Sequence, residues 1–228
     1  MCGRFTLRTP AAEWSQLFLP SMNPQDPGWG DPPRYNIAPT QPIVCLLRES
    51  TGEPRTVGKY RWGLVPSWAD DLKIGNRMIN ARSETLDSKP SFKKPFATRR
   101  CLIPMDGYYE WQKQPDGKQP FLIEPAGGKV QMIAGLWEEN RKADSKPVRT
   151  CTIITTSANR LTKDIHDRMP VFLSGEQHDQ WLDPGFRDID MLKAMLKPAD
   201  EHLLTMTPVS RYVNSPRNDD AQCVAAAT

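Results

Sequence analysis

Gly107-Tyr108-Tyr109-Glu110-Trp111-Gln112, the turn Pro115-Asp116-Gly117-Lys118 and the return run Phe121-Leu122-Ile123-Glu124 form the stretch that decides the fold. Aromatic and branched residues suit a pleated, half-buried surface, and a Pro-Asp-Gly turn between two such runs predicts a β-hairpin. Working outward, residues 101–103 read as a strand before the hairpin, and residues 129–137 and 148–156 extend the sheet after it. Residues 43–48 and 57–62 are two earlier strands, and 203–206 is the last. The helices are short. Thr9-Pro10 reads as N-cap and first helical position before Trp14, Leu17 and Phe18 at helical spacing. Ser174-Gly175-Glu176-Gln177 matches a capping box opening a helix through Leu182. Ile189, Leu192, Met195 and Leu196 mark a further helix, stopped by Pro198.

Connections carry much of the remaining chain. Residues 21–33 read as an exposed loop rich in Pro, Gly and Asp, and Gly63-Leu64-Val65-Pro66-Ser67-Trp68 is not regular helix. Pro39 and Pro42 flank Thr40-Gln41 and predict a stiff, extended entry into the strand that follows. The tail from residue 214 to 228 has no apolar period. The 22 prolines and 14 glycines are spread through the chain rather than gathered in a linker. The expectation is a β-rich α+β fold in a single domain, 1–228, with a core over 1–213 and a polar tail over 214–228.

Composition removes several function classes. Thirty Lys+Arg against 27 Asp+Glu leave a formal charge of +3, which permits a local nucleic-acid surface without requiring one. Cys2, Cys45, Cys101, Cys151 and Cys223 are odd in number and none is in CxxC spacing, so neither a disulfide framework nor a thiolate zinc site is indicated. His166, His178 and His202 lack HExxH spacing, and no metal or other cofactor is expected. No apolar run approaches the ~20 residues of a membrane span, and no signal peptide precedes Cys2, which fits a reducing cytoplasm.

Cys2 is the first candidate for chemistry. Trimming of Met1 would give it an α-amine and a thiol on adjacent carbons, with ordinary pKa values of about 7.7–8.0 and 8.5. Such an aminothiol forms an imine with an aldehyde through nitrogen and closes a five-membered thiazolidine through sulfur. A buried thiol following Met1 by chance is the other reading. Glu110, between Tyr109 and Trp111, either faces solvent or enters a partly apolar pocket that would raise its pKa and suit it to acid/base work. His166, beside Asp167 and Arg168, is either a structural loop residue or a proton carrier. Asn80, after Met78-Ile79, is a polar residue in an apolar context.

Seven motifs occur in order: Met1-Cys2-Gly3-Arg4-Phe5, Arg34-Tyr35-Asn36-Ile37-Ala38-Pro39, Trp62-Gly63-Leu64-Val65-Pro66-Ser67-Trp68, Asn80-Ala81-Arg82-Ser83-Glu84, Gly107-Tyr108-Tyr109-Glu110-Trp111, His166-Asp167-Arg168-Met169-Pro170 and Pro208-Val209-Ser210-Arg211. Together they resemble the SOS-response-associated peptidase (SRAP) family over nearly the whole length. The resemblance implies a bifurcated, barrel-like, mostly antiparallel sheet flanked by short helices. It implies a DNA-associated monomer that senses abasic sites in single-stranded DNA and becomes attached to them through the N-terminal cysteine. Active-site roles would fall on Cys2, Asn80, Glu110 and His166. Arg4, Arg77, Arg82, Arg168 and Arg211 lie in or beside the motifs and are assigned to phosphates, each with a surface salt bridge as its competing role. Pro39 and Trp68 are assigned to an apolar wedge against the bases, whereas Trp62 and Trp111 are read as core. Three rival readings stand beside this one: an N-terminal-nucleophile glutamine amidotransferase, a thiol autopeptidase acting on Met1, and a non-catalytic single-strand binding module.

Overall fold

The computed structural model describes residues 2–18 and 32–227. In chain order the elements are β1 (Phe5–Leu7), α1 (Ala11–Phe18), β2 (Arg34–Ile37), β3 (Pro42–Leu47), β4 (Thr56–Trp62), β5 (Asn80–Arg82), α2 (Pro90–Thr98), β6 (Arg100–Met105), β7 (Gly107–Gln114), β8 (Gly117–Pro125), β9 (Gln131–Asn140), β10 (Val148–Ser157), β11 (Arg168–Pro170), β12 (Phe172–Leu173), α3 (Gly175–Leu182), α4 (Ile189–Ala194) and β13 (Leu204–Pro208). The fold is β-rich α+β, as the sequence leads one to expect. The hairpin forms with Tyr108 opposite Ile123 and Gln114 opposite Gly117, so its turn is only Pro115-Asp116. Gly117 takes φ 131°, a conformation that favours a residue without Cβ.

Two sheets share the chain. An antiparallel sheet runs β13-β8-β7-β1-β2. The second sheet closes: β10-β4-β3-β6-β9 is completed by pairing of β9 with β10, from Val148 opposite Asn140 to Ile153 opposite Gly135. This makes a five-stranded barrel, with β10 parallel to β4 and to the short β5 and the remaining barrel pairs antiparallel. Closure removes the barrel's edges, where unpaired backbone groups would invite association. Cys45, Cys101, Cys151, Tyr60, Trp62, Ile103, Ile133 and Ile153 are buried in one core cluster, and all five cysteines are free thiols. Packing there is close enough that a Cβ on Gly135 would fall 2.9 Å from Cys101 Sγ. In α3, the Gln177 side chain accepts the Ser174 N–H at 2.9 Å, the reciprocal half of the expected capping box.

Two expectations need correction. Thr9 does not cap α1; its hydroxyl and N–H both donate to the buried carboxylate of Asp106, at 2.7 and 3.0 Å, and the helix starts at Ala11. The Pro39-Thr40 segment is a turn rather than an extended entry. Thr40 has φ 73°, rare for a β-branched residue, and is held there by its N–H bond to Trp62 O at 2.8 Å. The tail is anchored through polar groups, which is why it lacks an apolar period. Asp219 accepts the N–H groups of Tyr35 and Asn36 at 2.6 and 2.8 Å, and the Asn36 amide donates to the carbonyls of Val213, Ser215 and Asn218. Cys223 is buried with Tyr109, Val209 and Val213 behind this clasp. Of the expected loop over residues 21–33, all but Pro32 and Pro33 lies outside the described residues, and α4 ends at Ala194, ahead of the buried Met195 and Leu196.

Candidate active site

The N-terminus is laid along the hairpin. Phe5 pairs with Tyr108 and Thr6 with Gly107, and the Tyr109 N–H reaches Arg4 O at 3.0 Å, which directs Cys2 and Gly3 past Glu110. Cys2 is fully buried beside Phe5, Trp62 and Tyr108. Asn80 opens β5, which lies against β10 with Asn80 opposite Ile153. The Trp62 indole N–H donates to Ile79 O at 2.8 Å and fixes the backbone just ahead of it. From there the Asn80 amide donates to Cys2 O at 2.8 Å, so this bond ties the antiparallel sheet to the barrel. Asn80 Oδ1 makes no hydrogen bond among the described residues.

Glu110 shares a strand face with Tyr108, two residues before it, because side chains alternate along β7. The residue is 4% exposed, and burial raises its carboxyl above the usual carboxylate range, with a positive charge on His166 acting the other way. The ambiguity in the sequence is settled: Glu110 enters the protein rather than solvent. Burial first, and the Glu110 charge second, push the Cys2 thiol well above its ordinary value, so the resting thiol is protonated. His166 lies in the turn between β10 and β11 with Nδ1 3.0 Å from the Arg168 N–H and 3.0 Å from Asp167 Oδ1. The neutral ring accepts the Arg168 N–H at Nδ1, which places its own proton on Nε2. A protonated ring donates to Asp167 instead. Glu110 and His166 line one open cleft of about 600 Å³, together with Trp111, Lys113, Lys118 and Asp164.

Residues 1–216 match the family model described as SOS response associated peptidase (SRAP). The chain belongs to the SRAP family. Abasic site processing protein YoqW of Bacillus subtilis (strain 168) is 43% identical to this SRAP chain over 225 residues, covering 98% of it and 99% of YoqW. Abasic site processing protein HMCES of Rattus norvegicus is 31% identical over 271 residues, covering 100% of this chain and 76% of HMCES. A crystal structure of a Bacteroides thetaiotaomicron protein superposes with a TM-score of 0.80 over 100% of both chains at 24% identity, and so shares the fold.

The remaining motif residues of the SRAP chain are spread over different environments. Arg82 is exposed and stands two residues after Asn80, on the same face of β5; Arg77 is also exposed. Arg4 donates to Asn36 Oδ1 at 2.9 Å and Val213 O at 3.1 Å and lies over the Trp111 ring, which joins the N-terminus to the tail clasp. Arg168 is buried, held by Glu84 at 2.6 and 2.9 Å and by Thr155 O at 2.6 Å, so an incoming phosphate has to compete with Glu84. Arg211 pairs with Asp116 at 2.5 Å on the surface. Trp68 is 53% exposed in its rigid turn and Pro39 is half-buried, whereas Trp62 is core. Trp111 is half-buried and lines the cleft, with its indole N–H on Asn214 Oδ1 at 2.7 Å, so it is only partly a core residue. Sequence reasoning passed over Lys113, Lys118 and Asp164. Alternation along β7 sets Lys113 on the opposite face to Glu110 and so gave no signal for it, and nothing in the sequence placed the 159–166 turn beside it.

No helix among the described residues is long and apolar enough to cross a membrane, and none of their His, Cys, Asp and Glu side chains form a group of three arranged to hold a metal ion.

Proposed function

We propose that this SRAP chain captures abasic sites in single-stranded DNA by a covalent bond through Cys2 once Met1 is removed. Relatives covering almost the whole chain are named abasic site processing proteins. The observation that carries the reading is the Asn80 amide on Cys2 O at 2.8 Å, beside the buried carboxyl of Glu110. An abasic deoxyribose equilibrates with a ring-opened aldehyde, the electrophile an aminothiol traps. Because the thiol rests protonated, the amine attacks first. The raised Glu110 carboxyl takes a proton from the Cys2 ammonium near neutrality and returns one as the carbinolamine loses water. His166, at the mouth of the same cleft, moves the proton that opens the sugar ring. Asn80 Oδ1 accepts from a sugar hydroxyl while its amide holds Cys2. The Cys2 S–H then adds across the C=N bond, sulfur to carbon and hydrogen to nitrogen, and the thiazolidine closes with water as the sole product released. Orientation of amine, thiol and aldehyde supplies much of the rate.

The test is to incubate Met1-free protein with single-stranded DNA carrying one abasic site and to measure a denaturation-resistant adduct by mass. A Cys2→Ser protein yields no stable adduct on this reading; an undiminished yield sinks it. The family's description as a peptidase supports a second activity, cleavage of the Met1-Cys2 bond by the chain itself. Loss of Met1 from both Cys2→Ser and Cys2→Ala, whose small residues an ordinary aminopeptidase also accepts, would argue against self-cleavage.

A further inference from the structure

Lys113 and Lys118 sit directly opposite one another one pair before the turn of the β7–β8 hairpin. Like charges in that position destabilise a strand pair, and neither ammonium forms an ion pair among the described residues. Both are exposed, and both line the cleft that contains Glu110 and His166. Trp111 lines the same cleft, with its indole N–H on Asn214 Oδ1 at 2.7 Å. Asp164 stands on the facing turn, so besides Glu110 the cleft has one carboxylate against the two lysines. A repulsive pair kept at the rim of a cleft, beside an aromatic surface, is complementary to a strand carrying phosphates on its edge and bases on its face.

We infer that Lys113 and Lys118 bind the phosphates of the nucleotides flanking the reacting position, with Trp111 as the surface for the adjacent base. This rests on the single-strand crosslinking reading. It makes the β7–β8 hairpin a positioning element: β7 carries Glu110 to the reacting sugar, and the same ribbon, three residues further on, grips the strand that delivers it. Neither lysine touches the reacting atoms.

The experiment compares wild type, Lys113→Ala/Lys118→Ala and Lys113→Arg/Lys118→Arg. Equilibrium binding of an intact fluorescent single strand is followed from 50 to 200 mM salt. Each phosphate contact on a single strand contributes about 0.7 to the slope of log affinity on log salt, so loss of both lowers the slope by about 1.4, a sevenfold smaller drop over that range. The arginine variant keeps the wild-type slope. In parallel, adduct formation is measured on a long abasic strand and on one reduced to the abasic nucleotide and its own phosphates. The alanine variant is slowed on the long strand alone. An unchanged salt slope, or equal slowing on both substrates, overturns the inference. Absence of any adduct with wild type sinks the crosslinking reading instead, while the salt slope still decides whether the lysines hold the strand.

Discussion

The side-chain amide of Asn80 donates to the backbone carbonyl of Cys2 across 2.8 Å, joining β5, which pairs with the barrel strand β10, to the segment that leads into β1 of the antiparallel sheet. The Cys2 backbone is thereby held from a rigid element rather than by its own flexible terminus. Loss of one such bond removes about 1 kcal/mol. Asn80→Ala is therefore expected to slow adduct formation about fivefold in single-turnover assays, while the melting temperature falls by only about 2–4 °C. A fall in melting temperature large enough to explain the lost rate would assign Asn80 to the fold alone.

Glu110 makes activity and stability oppose each other. Burial raises its carboxyl, so the folded state favours the protonated form over the unfolded chain. The corresponding stability is complete below the ordinary carboxylate pKa of about 4.3 and is lost as pH rises through the raised value. Glu110→Gln keeps the shape and removes that loss. The variant is expected to gain stability relative to wild type between acid and neutral pH, on the order of 1 kcal/mol, and to slow adduct formation by about a hundredfold. Denaturant titrations at pH 4 and pH 7.5 check the first part. A wild-type minus variant difference that does not change with pH would mean Glu110 keeps an ordinary pKa.

The tail supports the site from behind. Asp219 takes two backbone N–H groups of β2, and Arg4 reaches the Val213 carbonyl from the segment next to Cys2. Asp219→Ala leaves those N–H groups without their acceptor, at a cost of about 1–3 kcal/mol. The expected fall in melting temperature is about 2–12 °C, with slower adduct formation through displacement of Arg4. An Asp219→Asn protein, which still accepts hydrogen bonds, recovers most of both losses.

Most strands were legible because their residues obey local rules. The aromatic run from Tyr108 to Trp111 and the Pro-Asp-Gly turn define the hairpin without help from the rest of the chain. Barrel closure was not legible, since the pairing of β9 with β10 next to the parallel β10–β4 contact is a property of tertiary topology. The tail clasp was hidden because one aspartate and one asparagine make it, and neither contributes to a hydrophobic pattern. At the site, residue types named the candidates, but the face chosen by Glu110 depended on what packs against β7. Strand alternation allows either face; the choice follows Tyr108, on the same face of β7, which packs into the cluster holding Trp62, Ile153 and Met169.

The order of bond formation gives the last prediction. All five cysteines are buried and none is in a disulfide, and the Cys2 thiol is pushed up by burial and by the charge of Glu110. A thiolate is the reactive form, so the native protein is expected to react with a thiol-specific disulfide reagent at least tenfold more slowly than a free cysteine at pH 7.5. Five equivalents should react once the chain is unfolded. If the amine leads, Cys2→Ser still condenses with the aldehyde, and cyanoborohydride reduces that imine to a stable secondary amine. Without reductant the same adduct hydrolyses. Rapid labelling of native Cys2, together with no reducible adduct from Cys2→Ser, would reverse the order and make sulfur the first nucleophile.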